Sequence, residues 1–233
     1  AQAGAGRRVA VYRAEVARAQ ATLAATAPTA KVPGRSLFID WSPPPRPLLV
    51  SLALDELRAG DRLLARDVAL TLRRDERVHV RGANGSGKST LLAALLHQCT
   101  LPPERVLHLP QELPAAAARA LLCEVRRQSS AARGRTLSLV AALGVVPDRL
   151  LASAQPSPGE ARKLALALAL ARHAWLLVLD EPENHLDLAS IERLEEALTG
   201  YPGALVLVSH DAALAARLTS RTWQLAGEQV ISA

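Results

Sequence analysis

Between Arg7 and Ala24, the residues Val9, Tyr12, Val16, Ala19 and Leu23 recur at alternating spacings of three and four. Arg7, Arg8, Arg13, Glu15 and Arg18 fall off this stripe, a pattern that predicts an amphipathic helix. It reads either as a helix docked on its own domain or as one arm of a helical pair whose other arm lies upstream. Pro28, Pro33 and Gly34 end it, and Ser42-Pro43-Pro44-Pro45-Arg46-Pro47 predicts an extended strap with a boundary near Pro47. Beyond the strap, Leu48 to Leu54 and Val68 to Leu72 read as strands, with Ala59-Gly60-Asp61 as the turn between them. Val78-His79-Val80 reads as a further strand and Leu91 to Leu96 as a helix. Val106 to Leu109 is a short apolar run before Pro110-Gln111, and residues 114–151, rich in Ala, Leu and Arg without strand alternation, predict a helical insertion. Ser157-Pro158-Gly159-Glu160 opens another long helix. Trp175 to Asp180 and Ala204 to Val208 are continuous apolar runs of the kind buried on both faces of a parallel sheet, with a helix around Ile191 to Leu198 between them. Strands alternating with helices predict an α/β fold with a mostly parallel sheet and its ligand at the carboxyl ends of the strands.

Composition narrows the picture in three ways. With 49% hydrophobic and 21% charged residues in 233, the chain has enough apolar sequence for a sizeable core. Aromatics make up only 3%, so that core is built from Leu, Val and Ala, which favours helices and parallel strands over a sandwich. The net charge of +6 is carried by arginine, lysine standing only at Lys31, Lys88 and Lys163. Such a surface suits nucleic acid or an anionic membrane, and is equally what a GC-rich genome writes by default. Cys99 and Cys123 lack CxxC spacing and lie in helix-like stretches, which predicts reduced, buried thiols in a cytosolic protein. The longest apolar stretch, Leu164 to Ala171, is far short of the roughly 20 residues of a membrane span. The chain opens at Ala1 and contains no methionine, which reads as a piece of a longer protein.

The chemistry centres on Gly82-Ala83-Asn84-Gly85-Ser86-Gly87-Lys88-Ser89-Thr90, which satisfies the phosphate-loop pattern G-x-x-x-x-G-K-[ST] between a strand and a helix. In that context backbone N–H groups point at an anion, Lys88 reaches β- and γ-phosphates, and Ser89 holds Mg²⁺. Asp180 ends one buried strand, with Glu181 beside it, and His210 follows another. Three strand ends, at Gly82, Asp180 and His210, are therefore expected to converge on one nucleotide. Asp180 would serve Mg²⁺, while Glu181 would polarise water and His210 would orient it. Taken singly, Asp180-Glu181 reads as well as a helix N-cap pair, and His210 as a satisfied core histidine.

In this order and spacing, the motifs resemble an ATP-binding cassette from about Pro47 to the C-terminus. Gln111 matches the family's glutamine loop, Ser157-Pro158-Gly159-Glu160 its signature loop, Asp180-Glu181 its Walker B end, Asn184-His185-Leu186-Asp187 its D-loop and His210 its switch histidine. The string Leu179-Asp180-Glu181-Pro182-Glu183-Asn184-His185-Leu186-Asp187 resembles that of the ABC-F group, tandem-cassette ATPases that act on ribosomes. The resemblance implies an antiparallel β-subdomain (47 onward), a helical subdomain over about 112–160, and ATP with Mg²⁺ held by Ser89, Gln111 and Asp180. It also implies that residues 1–46 end an inter-cassette linker, so that 47–233 form a second cassette. The signature loop would then act on the partner cassette's ATP, with ribosomal RNA as a partner, no membrane insertion and a cytoplasmic location. An ABC transporter's ATP-hydrolysing subunit is the alternative, and a degenerate cassette clamping ATP a third. The chain departs from the family at Ala83, Pro156, Pro158, Glu160 and Glu183, and it places Arg58 near where many cassettes stack an aromatic on adenine.

Overall fold

The computed structural model describes residues 41–232, so the expected helix at 7–24 and the start of the linker lie outside the described residues. The fold starts with a long hairpin of β1 (Leu48–Ala59) and β2 (Arg62–Arg73), turned at Gly60, whose φ of 58° is left-handed. Both strands run further than their apolar cores suggest. Beyond Leu54 the face is charged, and cross-strand pairing carries it: Glu56 lies opposite Arg66 in the register and accepts from its Nη1 at 2.7 Å.

Then come β3 (Arg77–Arg81), α1 (Lys88–His97), β4 (Val106–Leu109), α2 (Ala115–Arg127), α3 (Ser130–Ala142), α4 (Pro147–Ala152) and α5 (Pro158–Ala171). The order closes with β5 (Leu176–Asp180), α6 (Leu188–Gly200), β6 (Ala204–Val208), α7 (Ala212–Leu218), β7 (Arg221–Ala226) and β8 (Gln229–Ser232). Among the described residues, the main sheet has strand order β4-β5-β6-β3-β7-β8, parallel except for the β7–β8 hairpin. That hairpin is absent from the sequence expectation. Its strands are short and mixed with Arg221, Thr222 and Gln224, and only Trp223 and Leu225, both buried, mark core positions.

Strands β5 and β6 are buried at every position, as their continuous apolar runs demand. Alternate side chains serve different cores. Leu177, Leu179, Leu205 and Leu207 join the helical side with α5, while Leu176, Val178, Val206 and Val208 join the side of the hairpin and α1. The sheet is thus a septum between two cores, and its carboxyl edge is left to polar residues.

The helical insertion is as expected, and its last helix is set by local chemistry. Ser157 Oγ accepts from Glu160 N at 3.3 Å, Glu160 Oε2 accepts from Ser157 N at 2.8 Å, and Pro158 occupies the first turn, where its missing N–H costs nothing. The thiol expectation fails in part: Cys123 is exposed on α2, and Cys99 is half-buried beyond the end of α1. Cys123 lies on the helix between the inward-facing Leu122 and Val125, so its apolar surroundings in sequence do not put it inside. The Pro-rich strap is fastened to the sheet's amino edge, Trp41 Nε1 donating to Ala174 O at 3.1 Å and Trp175 Nε1 to Ser42 O at 2.9 Å.

Candidate functional site

Residues 82–87 bridge β3 and α1, and the bend is made by Gly85 and Gly87 at φ 74° and 101°. Leu64 of β2 roofs Gly87 closely: a Cβ there would stand 2.6 Å from Leu64 Cδ1 and would have to push that side chain aside. Lys88 turns back over the loop, Nζ donating to Gly82 O at 3.0 Å and Ala83 O at 3.2 Å. Ser86 Oγ is buried with no partner. A loop with a buried hydroxyl to satisfy and an ammonium held only by neutral carbonyls fits an anionic group.

One residue into α1, Ser89 Oγ donates to Asp180 Oδ2 at 2.8 Å, joining the ends of β3 and β5 across the β6 strand between them. Asp180 is 5% exposed. Among the described residues no cluster of His, Cys, Asp or Glu has the makings of a protein-only metal cage. A hydroxyl beside one carboxylate is instead the hard oxygen set that suits Mg²⁺ completed by water and phosphate oxygens.

Glu181 is the hub. Its φ is 48°, a strained value for a non-glycine residue, and its N–H donates to Val208 O at 2.8 Å, which clamps the residue between β5 and β6. One carboxylate oxygen, Oε2, accepts from Gln111 Nε2 at 2.9 Å and from Asn184 Nδ2 at 2.6 Å, and Oε1 lies 3.0 Å from His210 Nε2. Three sequence-named residues from three loops therefore meet on one carboxylate. Lys88, Ser89, Thr90, Gln111, Asp180, Glu181 and His210 line one cleft of about 520 Å³ with Asn84, Gly85 and Gly87.

The same cleft is closed at the hairpin by Ala59, Arg62 and Leu64, which the sequence reading did not name. Arg58 is held elsewhere, donating to Glu56 Oε2 at 2.8 Å and Asp61 O at 2.6 Å. Among the described residues Arg62 has no partner, and its Nη1 comes within 3.9 Å of where a Cβ on Gly85 would stand. The alternation of exposed residues around a two-residue turn decides which arginine faces the loop, and that is invisible before the turn's register is known.

Two further residues brace the site. Glu183 Oε1 accepts from Ser209 Oγ at 2.6 Å and from His210 N at 3.1 Å, tying the turn after β5 to the one after β6. Arg162 on α5, 3% exposed, donates to the carbonyls of Glu181, Pro110 and Gln111. Burial lowers its pKa, and the nearby carboxylates of Glu183, Asp180 and Glu181 oppose that shift.

Ser157, Pro158, Gly159 and Glu160 do not line this cleft. Gly159 packs instead on the turn that carries His185 and Leu186, where a Cβ on it would stand 2.9 Å from His185 O. Asp187 caps α6 by accepting from Ser190 N at 2.9 Å, and hydrogen bonding with Ser190 lowers its pKa.

The ABC transporter family profile matches residues 65–184, from β2 through the phosphate loop to Asn184. Over 186 residues the chain is 39% identical to the tylosin resistance ATP-binding protein TlrC of Streptomyces fradiae, covering 74% of this chain and 33% of that protein. Over 163 residues it is 37% identical to the ribosome protection protein VmlR of Bacillus subtilis, covering 65% of this chain and 29% of that protein. The chain thus spans about a third of the length of the curated relatives it matches. Among solved structures, the ATP binding subunit of an ABC transporter aligns with a TM-score of 0.61 at 22% identity, over 79% of this chain and 89% of that one, a likeness of fold. With a profile that spans half the chain and carries both the loop and the Asp180-Glu181 strand end, this protein belongs to the ABC transporter family, as a cassette of its ABC-F branch.

Proposed function

We propose that this chain is the ATP-hydrolysing cassette of an ABC-F ATPase that works on the ribosome, in translation or in protection from ribosome-targeting antibiotics. The observation that carries the hydrolysis is the Glu181 carboxylate held by Gln111, Asn184 and His210 beside the Ser89–Asp180 pair. ATP lies with its phosphates on Gly82 to Thr90, and Lys88 exchanges two loop carbonyls for phosphate oxygens. Ser89 and Asp180, with Gln111 as a further candidate ligand, would hold Mg²⁺, which would supply neutralisation of the charge that builds on the phosphates. Glu181 accepts a hydrogen bond from the attacking water and draws off its proton, and His210 keeps that carboxylate and the water in line. Arg162 holds the carbonyl side of both loops, so the signature helix and Glu181 move as one body.

The signature residues Ser157 and Gly159 serve the ATP of a second cassette, in the same longer protein or in another copy. Their place outside the cleft supports this reading. The linker lies in residues 1–46, the second-cassette position follows from it, and the cytoplasm is the compartment. The ribosome part is supported by the relatives' names, which include resistance and ribosome-protection proteins. No helix among the described residues is long and apolar enough to cross a membrane. The test is co-sedimentation of the full-length protein, trapped with ATP by Glu181→Gln, with ribosomes at low and high salt. Salt-sensitive association is expected, since phosphate contacts release counterions. Recovery with a membrane fraction through a spanning partner would put the transporter-subunit reading in its place.

A further inference from the structure

Beside the nucleotide cleft lies a second cleft of about 290 Å³, which shares Lys88 and His210 with it. Its other walls include His79 and Arg81 at the end of β3, Ser209 after β6, and Gln224 on β7. The sheet order puts these groups together: β3 lies between β6 and β7, and Arg81 pairs in register with Gln224. No carboxylate lines it. The nearest acids are turned to other work, Glu183 holding Ser209 Oγ and His210 N, and Asp211 Oδ1 capping α7 through Ala213 N and Leu214 N. Among the described residues Arg81 has no hydrogen-bond or ion-pair partner, in contrast to the hairpin arginines Arg58 and Arg66, which are paired with Glu56. The side-chain hydrogen bond of Gln224 goes to the neighbouring carbonyl of Leu225, at 3.3 Å.

We propose that this cleft is a second oxyanion site, and that its ligand is inorganic phosphate leaving the nucleotide cleft past Lys88 and His210. An unpaired guanidinium offers a forked pair of donors that matches a tetrahedral oxyanion, and Gln224 adds an amide from the facing strand. The volume holds the ion with part of its water shell, each water taking about 30 Å³. Gly82 lines this cleft at the start of the phosphate loop, and β7 presses on it: a Cβ there would stand 3.1 Å from Leu225 O. The shared wall of Lys88 and His210 gives the phosphate cationic and donor groups on either side as it passes. The identity of the anion as product rests on the ATPase reading; the oxyanion site itself does not.

The test titrates inorganic phosphate, followed by ³¹P NMR, into the full chain saturated with Mg²⁺ and a non-hydrolysable ATP analogue. With the triphosphate filling the first cleft, phosphate is expected still to bind. Arg81→Gln is expected to weaken that binding about tenfold or more, as loss of a charge-assisted hydrogen-bond pair implies. Gln224→Glu, which sets a carboxylate opposite Arg81, is expected to do the same, while both variants keep the analogue affinity and the melting temperature of the parent. Phosphate that binds only when the analogue is absent, or that binds both variants as it binds the parent, overturns the proposal. If the analogue itself does not bind, the nucleotide reading fails separately, and the Arg81 and Gln224 dependence of phosphate binding then decides the oxyanion site alone.

Discussion

Glu181 Oε1 lies 3.0 Å from His210 Nε2, while Oε2 of the same carboxylate is held by Gln111 and Asn184. Every polar contact of that side chain therefore comes from a group that Gln at the same position can also satisfy in part, since a carboxamide keeps one accepting oxygen. Glu181→Gln is expected to retain ATP and Mg²⁺ binding, because Ser89 and Asp180 are untouched. Hydrolysis is expected to fall by about 10²- to 10⁴-fold, the contribution of a positioned general base. Single-turnover hydrolysis beside equilibrium nucleotide binding separates the two. Turnover near that of the parent would remove the base from Glu181.

Glu183 is one of the positions where the chain departs from the cassette pattern it resembles, and the structure gives its side chain a purpose. It reaches Ser209 Oγ and His210 N across the gap between two strand ends. His210 is itself 57% exposed at its side chain, so its position on Glu181 depends on the backbone beneath it. Glu183→Ala is expected to lower kcat with little change in KM, because the His210 turn loses its brace while the phosphate loop does not. Glu183→Gln keeps an accepting oxygen and is expected to restore most of the rate. Equal kcat loss in both variants, with a lowered melting temperature, would reduce Glu183 to a structural contact.

The positions of Asp180, Glu181 and His210 were legible because each follows a strand apolar enough to be buried on both faces, and the phosphate loop because of its own G-x-x-x-x-G-K-[ST] spacing after the alternating strand Arg77–Arg81. Leu176 to Asp180 and Ala204 to Val208 needed no tertiary information to be placed centrally in a parallel sheet. Where a position depends on register across the fold, the sequence was silent. Arg62 rather than Arg58 faces the loop because of a two-residue turn at Gly60-Asp61, and β7 and β8 are too short and too polar to stand out from a surface loop. Cys123 shows the converse: an apolar neighbourhood in sequence did not bury it, because the helix turned it outward.

That distinction between the two arginines is testable. Among the described residues, Arg62 lines the cleft without an ion-pair partner, whereas Arg58 is engaged with Glu56 and the turn. Arg62→Ala is expected to weaken ATP binding by roughly three- to thirtyfold, the range of about 0.7–2 kcal/mol that an exposed cation–anion or cation–π contact supplies. Arg58→Ala is expected to change affinity less than twofold. Titration of a fluorescent ATP analogue measures both, and the reverse ranking would return the role to Arg58.

Gly159 sits against backbone outside the cleft. A Cβ on it would stand 2.9 Å from His185 O, a backbone oxygen in a turn already strained by His185 at φ 63° and Glu181 at φ 48°. A flexible side chain could give way to a methyl group; a carbonyl fixed between Glu181 and the cap of α6 gives way only by moving the turn. Since Asn184 donates to Glu181 from that same turn, the shift propagates to the catalytic carboxylate. Gly159→Ala is therefore expected to lower ATP turnover about tenfold or more even in an isolated copy of this chain, where no partner cassette is present to need the signature loop. The expected companion is a modest loss of thermal stability, since the clash is at the surface rather than in either core. Unchanged single-copy turnover, with loss appearing only when two cassettes are paired, would show that Gly159 acts on the partner's nucleotide alone and not through His185.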